Sequence, residues 1–198
     1  MCRIFGVGVD KQPKSDWEVM STLLSADARL NKDGLAKPHL RAGLVYKLNG
    51  VPYLDNIERE LRPVLYEGIG ATKTSFNIQE DQHGTRWVVL EDRNFDDLVS
   101  SVFTVGNAIV SNGAGKDLLA AVFRYHYKVN TREKPGAADA NVYWIYTYRR
   151  KAFYPFVPSG PQERDRPAEL HLAKAMKKIG LGVDDSLEDW YGLWGIPF

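Results

Sequence analysis

Apolar and polar positions first separate into helical spacing. Trp17, Met20, Leu24 and Ala28 fall three and four residues apart on one stripe. Ser15-Asp-Trp-Glu18 stands in front with the form of a capping box. The serine hydroxyl and the glutamate carboxylate can each accept from a free amide of the first turn. A helix is therefore predicted over 16–30, with Asn31-Lys-Asp-Gly34 ending the pattern. Residues 42–48 are short and β-prone, and Asn49-Gly50 supplies a turn behind them. Asp55 opens a second helix whose face is Ile57, Leu61, Val64 and Leu65. Pro63 is expected to break or kink it, since proline removes an amide and crowds the preceding turn.

Beyond residue 70 the period shortens. Thr74, Phe76 and Ile78 alternate with Lys73, Ser75 and Asn77 over 72–79, and Thr85-Arg-Trp-Val-Val-Leu90 follows Asp-Gln-His-Gly84, which predicts a hairpin. Asn94 and Asp97 can cap the next helix. Its Leu98, Val99, Val102, Phe103, Val105 and Ile109 cover more than one stripe, so it is predicted to lie across a sheet and to stop at Asn112-Gly113. Strands at 118–128 and 142–149 come next, joined by a polar loop rich in Pro, Gly and Ala that reads as mobile. A third strand at 153–157 is restricted to a sheet edge by Pro155. The last helix starts near Asp165, with Pro167 near its first position and Ala168, Leu172, Ala175, Met176 and Ile179 inward. The order predicts an α+β fold: one antiparallel β-sheet of about five strands with helices packed on it. Residues 1–198 read as a single domain, with 1–14 a flexible leading segment and 181–198 an aromatic segment docking on the core.

Composition narrows the classes of function. An apolar content of 44% supports a packed core, and a formal net charge of +1 gives no overall field toward nucleic acid or an anionic membrane. One cysteine, Cys2, excludes an internal disulfide and a cysteine-rich metal site. The run from Met1 to Val9 has one early charge, a short apolar stretch and no small-residue cleavage site after it. No window of about 18 uncharged apolar residues could span a bilayer. A cytoplasmic protein is expected. Ile4, Phe5, Val7 and Val9 could face lipid, but Gly6 and Gly8 disfavour a stable amphipathic helix.

Catalytic signatures are not found. His39, His83, His126 and His171 have no metal-binding spacing. Gly113-Ala-Gly-Lys116 fails as a phosphate loop, because Val110 and Asp117 stand where the motif needs Gly and Ser/Thr; it reads as a helix stop plus turn. Gly6-Val-Gly8 lacks the rest of a dinucleotide fingerprint, and Glu91-Asp92 and Asp184-Asp185 read as solvated or capping carboxylates. No enzyme, metal or cofactor is expected. One alternative chemistry is aromatic and basic. Tyr125 and Tyr127 on one strand, Trp144, Tyr146 and Tyr148 on the next, and Arg124, Lys128, Arg149, Arg150 and Lys151 around them could stack and hold a single-stranded nucleic acid.

Lys151-Ala-Phe-Tyr-Pro-Phe-Val-Pro158 and Asp189-Trp-Tyr-Gly-Leu-Trp-Gly-Ile-Pro-Phe198 carry the most specific signal. Two Trp, a Tyr and a Phe within the last nine residues are too apolar for a solvated tail and must dock on something. Within those two stretches, Phe153-Tyr-Pro-Phe-Val-Pro158 and Trp190-Tyr-Gly-Leu-Trp-Gly-Ile-Pro197, together with Arg86-Trp-Val-Val-Leu-Glu-Asp92, Leu118-Leu-Ala-Ala-Val-Phe123, Val142-Tyr-Trp-Ile-Tyr146 and Ala168-Glu169-Leu170, resemble in order, from about Trp87 onward, the PspA-associated PspAB family. The resemblance implies association with PspA, a coiled-coil, membrane-remodelling protein of the phage-shock envelope-stress response, and implies no enzymatic activity. Peripheral membrane association would then come through that partner. The element order is also similar to the type III secretion chaperone-like fold, a protein-binding scaffold. The expectation is a cytoplasmic adaptor or chaperone-like protein. Its binding surface would use Phe153, Tyr154, Phe156, Trp190 and Trp194, with Arg164, Arg166 and Glu169 at the rim.

Overall fold

The computed structural model describes residues 14–33, 36–67, 70–81, 84–127 and 140–198. The leading segment with its Ile4–Val9 patch, Cys2, His83, Lys128 and most of the loop before Ala140 lie outside the described residues.

Among the described residues, six antiparallel strands form one sheet in the order β2-β3-β1-β4-β5-β6. They are β1 (Ala36–Lys47), β2 (Ser75–Glu80), β3 (Thr85–Glu91), β4 (Leu118–Tyr127), β5 (Ala140–Thr147) and β6 (Ala152–Phe156). A two-stranded ribbon, β7 (Pro158–Gly160) with β8 (Glu163–Arg164), follows. The α+β expectation holds, with one more strand in the main sheet than the pattern suggested.

β1 is longer than its predicted 42–48. Ala36-Lys-Pro-His-Leu-Arg41 looks like loop because of its proline and charges. It becomes strand because β4 supplies partners from Ala36 opposite Tyr127 to Pro38 opposite Tyr125, before a register shift toward Ala42. β5 stops short of its predicted end, since Lys151 N–H donates to the Thr147 carbonyl at 2.8 Å and closes a turn. Pro155 sits in β6, an edge strand, as anticipated. The free side of β6 is covered: Phe153 N–H donates to Gly182 O at 2.8 Å and Asp184 N–H to Phe153 O at 2.7 Å.

Helices cover one sheet face. The capping box at Ser15 forms, with Glu18 accepting from the Ser15 amide at 2.6 Å, but the predicted first helix is split at Ser21 into α1 (Asp16–Met20) and α2 (Thr22–Asp33). α3 (Pro52–Asp55) and α4 (Ile57–Tyr66) follow. The expected break at Pro63 does not occur; buried Leu61 and Leu65 flank the proline and hold the last turn against α5 (Phe95–Ile109). Asn94 caps α5 by accepting from the Asp96 and Asp97 amides. As its apolar girth required, α5 lies buried on β1, β3 and β4. It ends in a wide turn, Val110–Ala114, where Gly113 takes φ +82°. α6 (Arg166–Lys178), capped by Asp165, turns Leu172, Ala173 and Met176 inward. Ala175, predicted inward, is exposed.

Tyrosine hydroxyls fasten the helices to the sheet. Tyr146 donates to Asp16 Oδ1 at 2.5 Å and Tyr125 to Asp27 Oδ1 at 3.1 Å. Burial, then the facing carboxylate, pushes both phenols well above their ordinary range, so both stay protonated donors. Tyr148 is seated differently. Its hydroxyl is buried without a partner among the described residues and points at Gly106 of α5, where an added Cβ would collide with it and stand 3.0 Å from Cζ. We predict that Gly106→Ala destabilises the fold by about 1–3 kcal/mol through overpacking. Tyr148→Phe alone should be near neutral, because it removes an unsatisfied buried oxygen, and should recover much of the loss when combined with Gly106→Ala. Urea unfolding of the two single variants and the double variant measures this; additive losses would count against it.

Candidate functional site

The second sheet face has an unusual cover. Val45, Trp87, Val89, Ala120, Val122, Tyr143, Ile145, Tyr154 and Phe156 form an apolar shelf under an irregular segment carrying Trp190, Leu193, Trp194, Ile196 and Phe198. Trp190 stacks on Tyr154 at 6.1 Å between ring centroids, Trp194 meets Phe156 edge-on at 5.0 Å, and Phe198 meets Trp87 edge-on at 6.2 Å. Gly43 makes room for the last of these, since a Cβ there would lie 2.7 Å from the Phe198 ring.

A segment without helix or strand must satisfy its backbone through side chains. Tyr154 Oη donates to the Tyr191 carbonyl at 3.0 Å and Arg164 Nη1 to the Trp190 carbonyl at 2.8 Å. Arg166 reaches the same Trp190 oxygen at 3.4 Å, and Tyr143 Oη reaches the Phe198 carbonyl at 3.5 Å. Arg164 also lies over the Phe156 ring, 5.1 Å from its centroid.

Glu169 anchors this arrangement. Its carboxylate is 0% exposed and accepts from Arg164 Nε at 2.9 Å and from the Val157 amide at 2.9 Å, with Arg164 Nη2 at 2.8 Å and Arg166 Nη1 at 3.6 Å. A second clamp lies where the segment begins. Arg150 donates to both Asp184 oxygens at 3.0 Å and to Ser186 at 2.7 Å, and Arg149 pairs with Asp189 at 2.5 Å. Burial pushes the Asp184 carboxyl up, but the Arg150 hydrogen bonds and the Ser186 amide outweigh it and hold the group below the usual aspartate range.

The sequence profile of the family described as PspA associated protein B, PspAB, matches residues 2–198. The chain belongs to the PspAB family. The match extends the resemblance upstream of Trp87 to residue 2, and the family description links the chain to PspA. No curated protein and no solved structure matches it, so the likeness to chaperone-like scaffolds rests on element order alone.

In this PspAB chain the residues predicted for a binding face are brought together, largely as interior. Phe153, Tyr154, Phe156 and Trp190 are buried, and Glu169 is fully so. The burial has a plain cause: alternation in β6 sends Phe153 under the helices and Tyr154 and Phe156 under the chain's own segment, so both faces of that strand are covered. Trp194 is half-buried, Arg166 is exposed, and Arg164 is spent on Glu169. The aromatic–basic face proposed for nucleic acid is covered too. Tyr125, Trp144 and Tyr146 are core beneath the helices and offer no ring for bases to stack on, and Tyr127 and Tyr148 are half-buried against the same core. Among the described residues no group of three or more His, Cys, Asp or Glu could hold a metal, and no helix is long and apolar enough to cross a membrane.

Sequence reasoning missed an open stretch of the same shelf. A cavity of about 860 Å³ lies at the sheet end where β1 and β5 finish and β4 and β6 start, between Lys47, Lys116, Leu119 and Thr147 on one side and Tyr191 and Leu193 on the other. No linear motif marks it, since only the antiparallel pairing of β1 with β4 brings Lys47 and Lys116 together.

Two outcomes follow. Glu169→Gln should destabilise by about 3–5 kcal/mol in urea unfolding, because it leaves Arg164 buried without its counter-charge; a change below about 1 kcal/mol would show that the clamp is not needed. The Asp184–Arg150 contribution should be complete above about pH 4, the ordinary aspartate value, and lost as pH falls through the lower folded value. The difference in melting temperature between the native chain and Asp184→Asn should therefore be present at neutral pH and shrink on acidification, whereas a pH-independent difference would contradict the assignment.

Proposed function

We propose that this chain is a non-enzymatic, cytoplasmic adaptor that binds a PspA-type coiled-coil protein and meets the membrane only through that partner. The carrying observation is the family match over residues 2–198, whose description names association with PspA. The buried ionisable groups support a binding role over catalysis. Asp117, Asp184 and Glu169 each have a structural partner that fixes an element of the fold.

The contact surface in this reading is the exposed side of the 190–198 segment with the start of α6. Trp194 and Arg166 are its accessible members, and Tyr191, 61% exposed, extends it. Tyr154, Phe156, Trp190, Arg164 and Glu169 serve it from below by holding the segment in place, while Phe153 packs under the helices. Aromatic rings and arginine suit such a role, giving large contact area and directional hydrogen bonds.

The test is titration of the purified PspA-type protein of the same cells into the purified chain. Saturable binding is expected, weakened about tenfold or more by Trp194→Ala and by Arg166→Glu, each removing contacts worth about 1–2 kcal/mol. Thermal unfolding of both variants in parallel separates lost contact from lost fold. Absence of binding by the native chain would overturn the adaptor reading, and undiminished binding by folded variants would move the surface elsewhere.

A further inference from the structure

The open cavity at the sheet end has a floor and a rim of opposite character. Half-buried Leu119 and Leu193 and the exposed Tyr191 ring give an apolar floor, backed by the buried shelf residues Val45, Ala120, Ile145 and Tyr154. Five cations line the site, Lys47, Lys116, Arg149, Arg150 and Lys151, against two carboxylates, Asp16 and Asp189. Arg149 and Arg150 are paired with Asp189 and Asp184, and Lys151 lies 3.9 Å from Asp16. Lys47 and Lys116 are exposed and have no ion pair among the described residues. The whole chain carries a formal net charge of only +1, so this is a local concentration of positive charge next to the partly accessible Leu119, Leu193 and Tyr191.

We propose that this cavity binds a single-chain anionic amphiphile, a long-chain carboxylate or phosphate. Its hydrocarbon lies along Leu119, Leu193 and the Tyr191 ring, and its head group is held by Lys47 and Lys116. About 860 Å³ is in the range of small-molecule sites. Charge complementarity selects an anion at the rim, and the floor selects the chain. β1, β4 and β5 are internal strands whose backbone groups are consumed by pairing, so the floor offers apolar contact but no ladder of hydrogen bonds. An extended peptide there would leave amides unsatisfied; the 190–198 segment avoids this only with the side-chain donors Tyr154, Arg164 and Tyr143. A helix about 10 Å across would fit for only about two turns. A hydrocarbon chain makes neither demand.

The cavity shares Tyr191 with the proposed contact surface but contains neither Trp194 nor Arg166, so variants at those two residues keep its failure and that of the adaptor reading distinguishable. The experiment is calorimetric titration of the purified full chain with dodecyl phosphate below its micelle concentration, with inorganic phosphate, dodecyl maltoside and phosphatidylglycerol vesicles as parallel arms. Dodecyl phosphate should bind one per chain, and inorganic phosphate and dodecyl maltoside much more weakly. Lys47→Glu with Lys116→Glu should weaken it about tenfold or more, since two attractions become repulsions. Thr147→Trp, placed on the open strand end, should fill the cavity and abolish binding. The two lysines are exposed, so their reversal carries the test if Thr147→Trp does not fold. No saturable binding, equal binding of dodecyl maltoside, insensitivity to the lysine reversal, or binding to vesicles alone would each overturn the proposal.

Discussion

A carboxylate removed from water is the constraint around which the second half of this chain is organised. Glu169 is fully buried, and an uncompensated charge there would cost several kcal/mol, so Arg164 and the Val157 amide must stay beside it. That requirement fixes α6 against the ribbon β7–β8 and against β6. Arg164 then has donors left to hold the Trp190 carbonyl, and the irregular segment after it is brought down on the open sheet face. One buried ion pair thereby joins three elements that share no backbone ladder with one another.

The sheet is consequently buried on both sides by different means. α1, α2, α4 and α5 cover one face with regular packing and two tyrosine–aspartate hydrogen bonds. The other face is covered by stacked and edge-on rings whose backbone is satisfied by side chains. Regular helices leave few gaps, whereas an irregular strap ends where its rings end. The cavity beside Leu119 and Leu193 at the close of β1 and β5 follows from that difference, and the turns that finish those strands bring its cations.

Much of the fold was legible in local chemistry. Ser15 and Glu18 signalled a helix start, Asn94 and Asp165 marked two more, and Gly113 marked a stop, because capping and left-handed turns involve residues only a few positions apart. The hairpin of β2 with β3 and the edge position of β6 were legible for the same reason: alternation and proline act within one strand. The first half of β1 and the course of α4 through Pro63 were not, since each is decided by a partner remote in sequence. The candidate site was half legible. The aromatic blocks stood out at once, but a ring that binds a partner and a ring that fills a core have the same sequence.

What the sequence determined by itself, then, was the kind of protein: an α+β chain without catalytic spacing, carrying the ordered aromatic blocks of the PspAB family. Only the tertiary structure decided which face each ring serves. Phe153 lies under the helices while Tyr154 and Phe156 lie under the chain's own strap, and Lys47 meets Lys116 across two strands some seventy residues apart. Burial and charge clustering are properties of surfaces assembled from distant segments, and no periodicity along one chain encodes which segments will meet.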